Sequence, residues 1–553
     1  MTAPSRALVR HAIAAGVVLV AVSWFVGLPG YLFIDEAAFH AQLEVLDDGG
    51  WTVERPFGDL DPDQRHVPMA RAHVVEGGYA PFAKHPVHLL VAYWADALGG
   101  RAGVRALSTF GALTAAVGAA LIARPLGRRP AVATLWITAI ASPLVFHAQL
   151  VVGHALAAGV AAVLLWRVLA TRASAVDPAL VAGLAAVGVL VRSEFVLLVV
   201  ALALSVGAMA LRARSVVGVG RALAAVGGGL VAYVVEPVLV ERWVGGSSSP
   251  TVISSGSRGG TSGLFEGART ALLQADQARP GAISMLTVIL VGVLGAAAIW
   301  KLRSSSPDRP LTAVIAAVSL VAAVVHLTVP DIVPGIVWAF PALWLLLALP
   351  TSDLPRPVAV GVLTSTLFAL AILVTQYAVA GGGLEWGWRY FAVGLPALTP
   401  ALGLGVSRLV DRTRGDRLLQ GALVAVGVAS VLVPVSGLVE QRRYLSDTEY
   451  FLDRVEAAAS DVDFVVSADP SFGRLAYPLA LDGRTAPVSG DDAARFLGWL
   501  AEDGADEVLL VWRGDDAPTF DLGDWSETGK TIYIAAEYRG AYLELEPNTR
   551  SPS

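Results

Sequence analysis

Long apolar segments, separated by short polar connections, fill the chain up to about residue 440. A helix needs about 20 apolar residues to cross the hydrocarbon core of a bilayer. The pattern predicts thirteen spans, at 11–29, 103–123, 130–147, 151–170, 178–192, 195–211, 220–240, 281–300, 311–329, 334–350, 357–380, 391–408 and 419–438. The first follows Arg6 and Arg10 as a signal peptide would, but no small-x-small cleavage site comes after it, so we expect an uncleaved anchor.

The pattern changes after residue 439. Short apolar runs at 464–466, 508–511 and 531–534 are typical of strands, whereas 451–460 and 491–503 have the spacing of amphipathic helices. We therefore expect a transmembrane domain over 1–439 and a soluble extracytoplasmic α/β domain over 440–553.

Composition supports the same class. Of the 553 residues, 55% are hydrophobic and 16% charged, with a mean hydropathy of +0.62, whereas soluble proteins carry about a quarter charged residues. The absence of cysteine excludes disulfides and thiolate chemistry. From Glu440 onward there are 23 acidic and 10 basic residues, so the tail is strongly acidic. The chain is predicted to be a polytopic α-helical membrane protein with a small C-terminal α/β domain.

Arginine-rich clusters set the orientation, because basic residues mark cytoplasmic loops. The clusters share one side of the membrane only if the apolar run 86–99 does not cross it, so we expect that run to be an interfacial helix on the outer side. The N-terminus is then inside, and the loops 30–102 and 241–280 and the tail are outside. Residues 245–263 hold six Gly and seven Ser, which indicates a flexible segment, either a disordered loop or a lid that orders on substrate binding.

Histidines concentrate on one side in this topology. Eight of the nine lie in or beside the predicted outer face, and only His11 lies elsewhere. The others are His40, His66, His73, His85, His88, His147, His154 and His326. This distribution indicates chemistry on the outer side.

Two carboxylates follow the first span directly. Asp35 could cap the next helix, with Glu36 in its first turn, or serve as a general base at the membrane surface. Glu36, His40 and Glu44 recur every four residues and so share a helix face, which leaves a divalent-cation site open.

Three cationic residues at the predicted outer face are candidates for phosphate binding. Lys84 and His85 precede Pro86 at the start of the interfacial helix, where a lysine can also meet lipid head groups. Arg192 ends the fifth span, and it can bind an anion or simply pair with Glu194.

The third cation is Arg389, which follows a glycine run and stands among aromatic residues. Trp386 and Tyr390 can belong to an aromatic belt at the membrane interface. Alternatively, Arg389 can bind phosphate while these aromatic rings stack around it. The sequence has no Walker loop, no zinc-protease helix and no basic nucleic-acid patch, and Gly218-Val219-Gly220 lacks the rest of a dinucleotide fingerprint.

The order of these motifs resembles that of the GT-C membrane glycosyltransferases. Asp35-Glu36, Lys84-x-Pro86 and the Gly-Gly-Arg-x-Gly-x-Arg run at 99–105 are similar to the branch of bacterial aminoarabinose transferases and protein mannosyltransferases. The resemblance covers about residues 5–215 and returns in Trp-Gly-x-Arg-Tyr at 386–390.

The resemblance implies a role for several residues. Asp35 would be the base, and Lys84 and Arg192 would hold the phosphate of a polyprenyl-phosphate sugar. Relatives often carry an acid in the loop after the third span, where this chain has His154. Either the histidine takes the role of that acid, as a ligand or hydrogen-bond partner, or the site has changed its chemistry.

The function expected from these residues and this resemblance is inverting transfer of a sugar to a hydroxyl of an envelope glycan, glycolipid or protein. It would occur at the outer face of a bacterial cytoplasmic membrane, with no nucleic-acid partner and with a divalent cation as an open question. The alternatives are a transporter or lipid flippase and a non-catalytic scaffold for envelope assembly. Transporters usually carry polar residues near the bilayer midplane in paired broken helices, which this sequence does not show.

Overall fold

In the computed structural model, the described residues are 6–55, 57, 61, 65–69, 72–169, 177–212, 216–245, 308–328, 335–349, 354–375, 386–412, 415–519, 521–535 and 537–545. The predicted span 281–300 and nearly all of the Gly/Ser-rich segment lie outside these residues.

The helices of the first half follow the apolar segments. In chain order they are α1 (Arg6–Val26), α2 (Ile34–Asp47), α3 (Pro86–Ala123), α4 (Arg128–Trp136), α5 (Leu144–His147), α6 (His154–Leu169), α7 (Asp177–Val191), α8 (Phe195–Arg212) and α9 (Val216–Trp243). Three short strands accompany them, β1 (Val53–Glu54), β2 (His73–Val75) and β3 (Gly78–Ala80).

The second half combines further apolar helices with a sheet. Its described helices are α10 (Asp308–Thr328), α11 (Ile336–Ala339), α12 (Arg356–Val374), α13 (Leu395–Arg412), α14 (Arg417–Ala459), α15 (Phe472–Leu475), α16 (Tyr477–Leu481) and α17 (Ala493–Glu502). Its strands are β4 (Phe464–Ser467), β5 (Thr485–Pro487), β6 (Glu507–Arg513), β7 (Trp525–Ala535) and β8 (Tyr538–Leu545).

The chain forms two compact units, each assembled from three stretches. The helical unit comprises Met1–Gly27, Leu90–Pro237 and Ser249–Gln441, and the sheet unit comprises Leu28–Leu89, Val238–Ser248 and Arg442–Ser553. Most of the predicted outer loop 30–102 therefore belongs to the same unit as the acidic tail.

Seven helical stretches among the described residues are long and apolar enough to cross a membrane, and α6, α7 and most of α8 are shorter apolar helices. Large apolar side chains on these helices are solvent-exposed without a bilayer, such as Trp24 at 86%. Because soluble proteins rarely expose such surfaces, lipid is the natural medium for them. The polytopic helical class is thus confirmed, while the count of thirteen spans stays a prediction.

Two predicted spans are interrupted. The span at 130–147 becomes α4, a π-helical turn over Ile137–Ala141 and the single-turn α5. The span at 334–350 becomes the short α11 followed by a 3-10 helix over Pro341–Ala348. Proline at 143 and 341 is compatible with these breaks, because it cannot donate a backbone hydrogen bond.

Helix α3 is two helices joined at Gly99 and Gly100. Gly100 has φ +57° and ψ −153°, a conformation that only glycine adopts readily. A Cβ atom on Gly103 would lie 1.9 Å from the carbonyl oxygen of Ala95, so the chain bends back sharply at this point. The break predicted between 86–99 and 103–123 is present, and the interfacial position of 86–99 stays a prediction.

The sheet unit contains a five-stranded sheet in the order β5-β4-β6-β8-β7. Strands β5, β4 and β6 are parallel, and β8 pairs antiparallel with both β6 and β7. Alternate residues of β4 face opposite sides, so Val466 packs in the core that contains Phe496, and Val465 packs in the core that contains Phe472. The predicted strands and helices of the tail are confirmed.

Candidate active site

Asp35 lies in the first turn of α2 and forms an ion pair with an arginine from the tail. Nη1 of Arg474, in α15, donates to Oδ1 of Asp35 at 2.8 Å. The Arg474 side chain is 2% exposed and that of Asp35 is 24% exposed. The candidate base is thus held by a buried cation that the sequence patterns did not single out.

Glu36 stabilises the start of α2. Its Oε2 atom accepts the backbone N–H of Leu32 at 2.9 Å, while Phe33 occupies the N-cap position without a side-chain hydrogen bond. Leu32 lies one residue before the N-cap, so this hydrogen bond fixes the chain where it enters the helix. Asp35 lies inside the first turn and not at the N-cap that the sequence suggested for it, and the contact with Leu32 gives Glu36 a structural function.

A chain of hydroxyls holds the other end of α2. The Tyr31 hydroxyl donates to the Tyr477 hydroxyl at 3.0 Å, and that hydroxyl donates to Oε1 of Glu44 at 2.5 Å. Burial is the largest cause that raises the pKa of Tyr477, followed by its interactions with Tyr31 and Glu44, so the phenol stays protonated and acts as the donor. His40 is buried, with its ring centroid 5.4 Å from that of Tyr31.

On the Glu36–His40–Glu44 face, Glu36 and Glu44 both accept hydrogen bonds from protein groups. Within the described ranges, no group of three or more His, Asp or Glu side chains is arranged to hold a metal ion. The question of a divalent cation stays open at this point.

Lys84 is exposed, and the residue after it has an unusual backbone. His85 is buried and has φ +55°. In the part of the chain that is described, the one other non-glycine residue with positive φ is Trp388, at +57°. Such conformations cost about 1–3 kcal/mol and collect at functional sites. Both residues are next to a candidate phosphate-binding side chain: His85 follows Lys84, and Trp388 precedes Arg389.

A second group of candidate residues lies in the helical unit. Arg192 follows α7, and its Nε atom donates to Oε1 of Glu194 at 2.8 Å while Nη1 donates to the carbonyl oxygen of Val152 at 3.1 Å. His154 begins α6 and places Nδ1 3.7 Å from the same Glu194 oxygen. The pairing of Arg192 with Glu194 is present, and an acid stands beside His154 although none occurs in its own loop.

Arg389 and its aromatic neighbours join this group. Nη2 of Arg389 donates to the Tyr390 hydroxyl at 2.8 Å, and the guanidinium lies 4.7 Å from the centre of the Tyr390 ring. The Tyr390 ring centroid is 6.1 Å from that of His154. Trp386 is buried and stacks on His326 at 4.9 Å, so it contributes packing that supports the loop.

His147 belongs to the same group, although no motif drew attention to it. It is fully buried at the end of α5, with its ring centroid 5.6 Å from that of His154, and both Arg192 and Arg389 act on it electrostatically. Its place in the sequence beside the predicted outer face was the one available signal.

The candidate residues therefore fall into two groups, one in each unit. Asp35, Glu36, His40, Lys84 and His85 belong to the sheet unit. The helical unit holds the candidates Arg192, Glu194, His154, Trp386, Arg389 and Tyr390.

Helical spans, a bent α3 and a tail built around a mixed sheet define the class of the protein. It is a polytopic helical membrane protein, and its fold is similar to that of ArnT, a GT-C glycosyltransferase. ArnT from Cupriavidus metallidurans, in a crystal structure with bound undecaprenyl phosphate, aligns over 100% of both chains with a TM-score of 0.51 and 15% identity. At that identity the likeness concerns the fold.

AglB, an archaeal oligosaccharyltransferase from Archaeoglobus fulgidus, was also found, in complex with an inhibitory peptide and a dolichol-phosphate. The alignment covers 90% of this chain and 69% of the AglB chain, with a TM-score of 0.43 and 13% identity. No family model matches the sequence, and no curated protein matches it at a significant level.

Proposed function

We propose that this protein is a glycosyltransferase that moves a sugar from a polyprenyl phosphate to a hydroxyl acceptor. The observation that carries the proposal is the buried group around Arg192 and Arg389. Ionisable side chains inside a membrane protein are costly and mark functional sites. Guanidinium groups suit a phosphate, and a lipid donor would bring its phosphate to the membrane surface. The fold shared with ArnT, which was crystallised with undecaprenyl phosphate, supports the same donor class.

The proposed reaction is a single displacement with inversion. The acceptor hydroxyl oxygen forms a bond to C1 of the sugar, while the bond between C1 and the phosphate oxygen breaks. The polyprenyl phosphate leaves with the electron pair, and the hydroxyl proton passes to a carboxylate. We assign that carboxylate to Asp35, which follows the first span and keeps one oxygen on Arg474. General-base catalysis of this kind contributes about 10²–10⁴-fold.

The leaving phosphate gains negative charge as the sugar bond breaks. Positioned cations that match this charge stabilise the transition state, and guanidinium groups bind phosphate through paired N–H donors. We assign this role to Arg192 and Arg389 of the helical unit, and Lys84, in the sheet unit, stays a predicted phosphate-binding residue. His147 and His154 lie beside the two arginines, where their imidazole rings can hydrogen-bond to the donor.

The proposal includes a cellular setting. With thirteen predicted spans, the N-terminus lies on the cytoplasmic side of a bacterial cytoplasmic membrane. Residues 1–439 form the transmembrane domain, and residues 440–553 form an extracytoplasmic domain. The acceptor is then an envelope glycan, glycolipid or protein.

A deletion strain tests the proposal. Envelope glycolipids and glycoproteins from the wild type, the deletion strain and strains complemented with wild-type or Asp35→Asn protein are compared by mass spectrometry. We expect one glycosylated product to be absent without the gene, restored by the wild type and absent with Asp35→Asn. Restoration by Asp35→Asn would contradict the enzymatic proposal and favour a scaffold. Accumulation of unflipped sugar lipids in the deletion strain would favour a flippase.

A further inference from the structure

The segment 472–481 of the tail contacts α2 at two places. Arg474 reaches Asp35 near the start of α2, and Tyr477 reaches Glu44 near its end. Both contacts lie inside the sheet unit, which contains residues 28–89 as well as the tail. The helix that carries the candidate base is thus held by side chains of the C-terminal region.

The backbone around Arg474 is fixed by its neighbours. Phe472 is fully buried, and its ring packs against that of Phe451 at 5.9 Å. A Cβ atom on Gly473 would lie 1.8 Å from the carbonyl oxygen of Pro68, so the chain approaches that carbonyl closely. Arg474 therefore leaves a rigid backbone position, and its guanidinium has little freedom to move away from Asp35.

The start of α2 is fixed from a further direction. The Thr448 hydroxyl, on α14, donates to the carbonyl oxygen of Tyr31 at 2.7 Å. Tyr31 also joins the hydroxyl chain to Tyr477. Both the backbone and the side chain of Tyr31, in the turn that precedes Asp35, are thus held by hydrogen bonds.

We infer that Arg474 is a positioning residue for Asp35, and that the C-terminal region is a working part of the catalytic apparatus. This inference rests on the proposed role of Asp35 as the base. An ion pair with a buried guanidinium restricts the rotamers of a carboxylate that is a quarter exposed. The same charge favours the ionised carboxylate, which is the form that accepts a proton.

The test compares Arg474→Met and Arg474→Lys with Arg484→Gln as a matched control. Arg484 is a partly buried arginine of the same unit that donates to the carbonyl oxygens of Ala459 and Val462. The full-length protein is purified in nanodiscs and supplied with donor lipids and envelope acceptors extracted from the native host. The release of polyprenyl phosphate is then measured across pH.

We expect Arg474→Met to lower turnover by up to about 10²-fold, the effect of a small misplacement of a catalytic group. The acid limb of its pH–activity profile should move to higher pH, because the guanidinium 2.8 Å from Asp35 is gone. Arg474→Lys should restore part of both quantities. Arg484→Gln should leave the profile at the wild-type position, and undecaprenyl phosphate should bind all variants equally.

An unmoved pH profile in folded Arg474→Met protein would overturn the inference, and it would leave the proposed function intact if Asp35→Asn is inactive. If Arg474→Met does not fold, the double variant Asp35→Asn/Arg474→Met is compared with it. Removing the unpaired carboxylate should recover folding, measured by size-exclusion chromatography and thermal unfolding. Failure to recover would show that Arg474 supports the fold independently of Asp35 and would contradict the inference.

Discussion

Nη1 of Arg474 lies 2.8 Å from Oδ1 of Asp35, although the two residues are separated by 439 positions in the chain. This ion pair joins the first turn after the first span to the acidic tail. The tail therefore contacts the candidate base directly, through the guanidinium of Arg474. The proposed phosphate-binding residues Arg192 and Arg389 belong to the helical unit, and each group can be tested by itself.

Substitution of the arginines should weaken donor binding. Arg389→Gln is expected to weaken binding of undecaprenyl phosphate roughly 10- to 100-fold, because a hydrogen bond to a charged group contributes about 1.5–3 kcal/mol. Isothermal titration or native mass spectrometry with purified protein measures this. Arg356→Gln is the matched control, since Arg356 is an exposed arginine at the start of α12.

The role of Arg192 has to be tested with a double variant, because Glu194 is buried beside it. Removing one member of a buried ion pair leaves an uncompensated charge that costs about 3–5 kcal/mol. Arg192→Gln alone should therefore lower stability, whereas Arg192→Gln/Glu194→Gln should recover much of it and still bind undecaprenyl phosphate weakly. Wild-type binding by the stable double variant and by Arg389→Gln would remove the phosphate role from this group.

The loop that carries Arg389 depends on glycine at position 387. Gly387 has φ +71°, and a Cβ atom there would lie 2.4 Å from Cγ of Pro143. Gly387→Ala should lower the free energy of unfolding by about 1–3 kcal/mol through the strained backbone alone, and the clash adds to this. Thermal unfolding in detergent measures the loss. Gly183→Ala in α7 is the control, since nothing lies within 4 Å of its Cβ position. A control with the same loss, or no loss in Gly387→Ala, would contradict the geometry.

The strands and helices of the tail were predictable because each has a strong local pattern. Val465 and Val466 alternate between two cores, and the helix at 491–503 has one apolar face. By contrast, β8 begins with Tyr538-Arg539-Gly540, which lacks a continuous apolar run, so it was not predicted. Its place between β6 and β7 depends on pairing with both neighbours.

The candidate site was predictable where residues stand at the ends of apolar segments. Asp35, Arg192 and Arg389 are each conspicuous because a charge interrupts or ends such a segment. Arg474 was not identified, and His147 was named only as one of the outer-face histidines, because their significance comes from long-range contacts that no local pattern encodes. The interruption of the span at 130–147 was also missed. There the Ser142 hydroxyl donates to the carbonyl oxygen of Thr138 and accepts the N–H of Leu144, which stabilises the break.

Alkaline pH should destabilise the sheet unit through Tyr477. The pKa of Tyr477 is raised in the folded protein, chiefly by burial, so its stabilising effect is complete below the ordinary tyrosine value of about 10. As pH rises above that value, the unfolded chain loses the proton first, and the folded state loses stability by up to about 1.4 kcal/mol per pH unit. The melting temperature of Tyr477→Phe should fall less than that of the wild type between pH 9 and pH 11. Tryptophan fluorescence monitors the unfolding. An identical fall in both proteins would show that Tyr477 is not the titrating group.

The proposed topology can be tested with tags. A tag at Gly99–Gly100, where α3 bends, should be accessible from outside intact cells, and a tag at Gly127 should be accessible only after permeabilisation. A C-terminal tag should be accessible from outside. Exposure of Gly127 with protection of Gly99 would overturn the assignment of 86–99 to the outer interface.

The central claim is that Asp35 acts on the acceptor proton while other residues hold the donor phosphate. The most direct measurement compares Asp35→Asn with the wild type in nanodiscs, for turnover of the extracted donor lipids and for binding of undecaprenyl phosphate. The proposed mechanism predicts a loss of turnover on the order of 10²–10⁴-fold with nearly unchanged binding. Near-normal turnover in folded Asp35→Asn protein would contradict the claim.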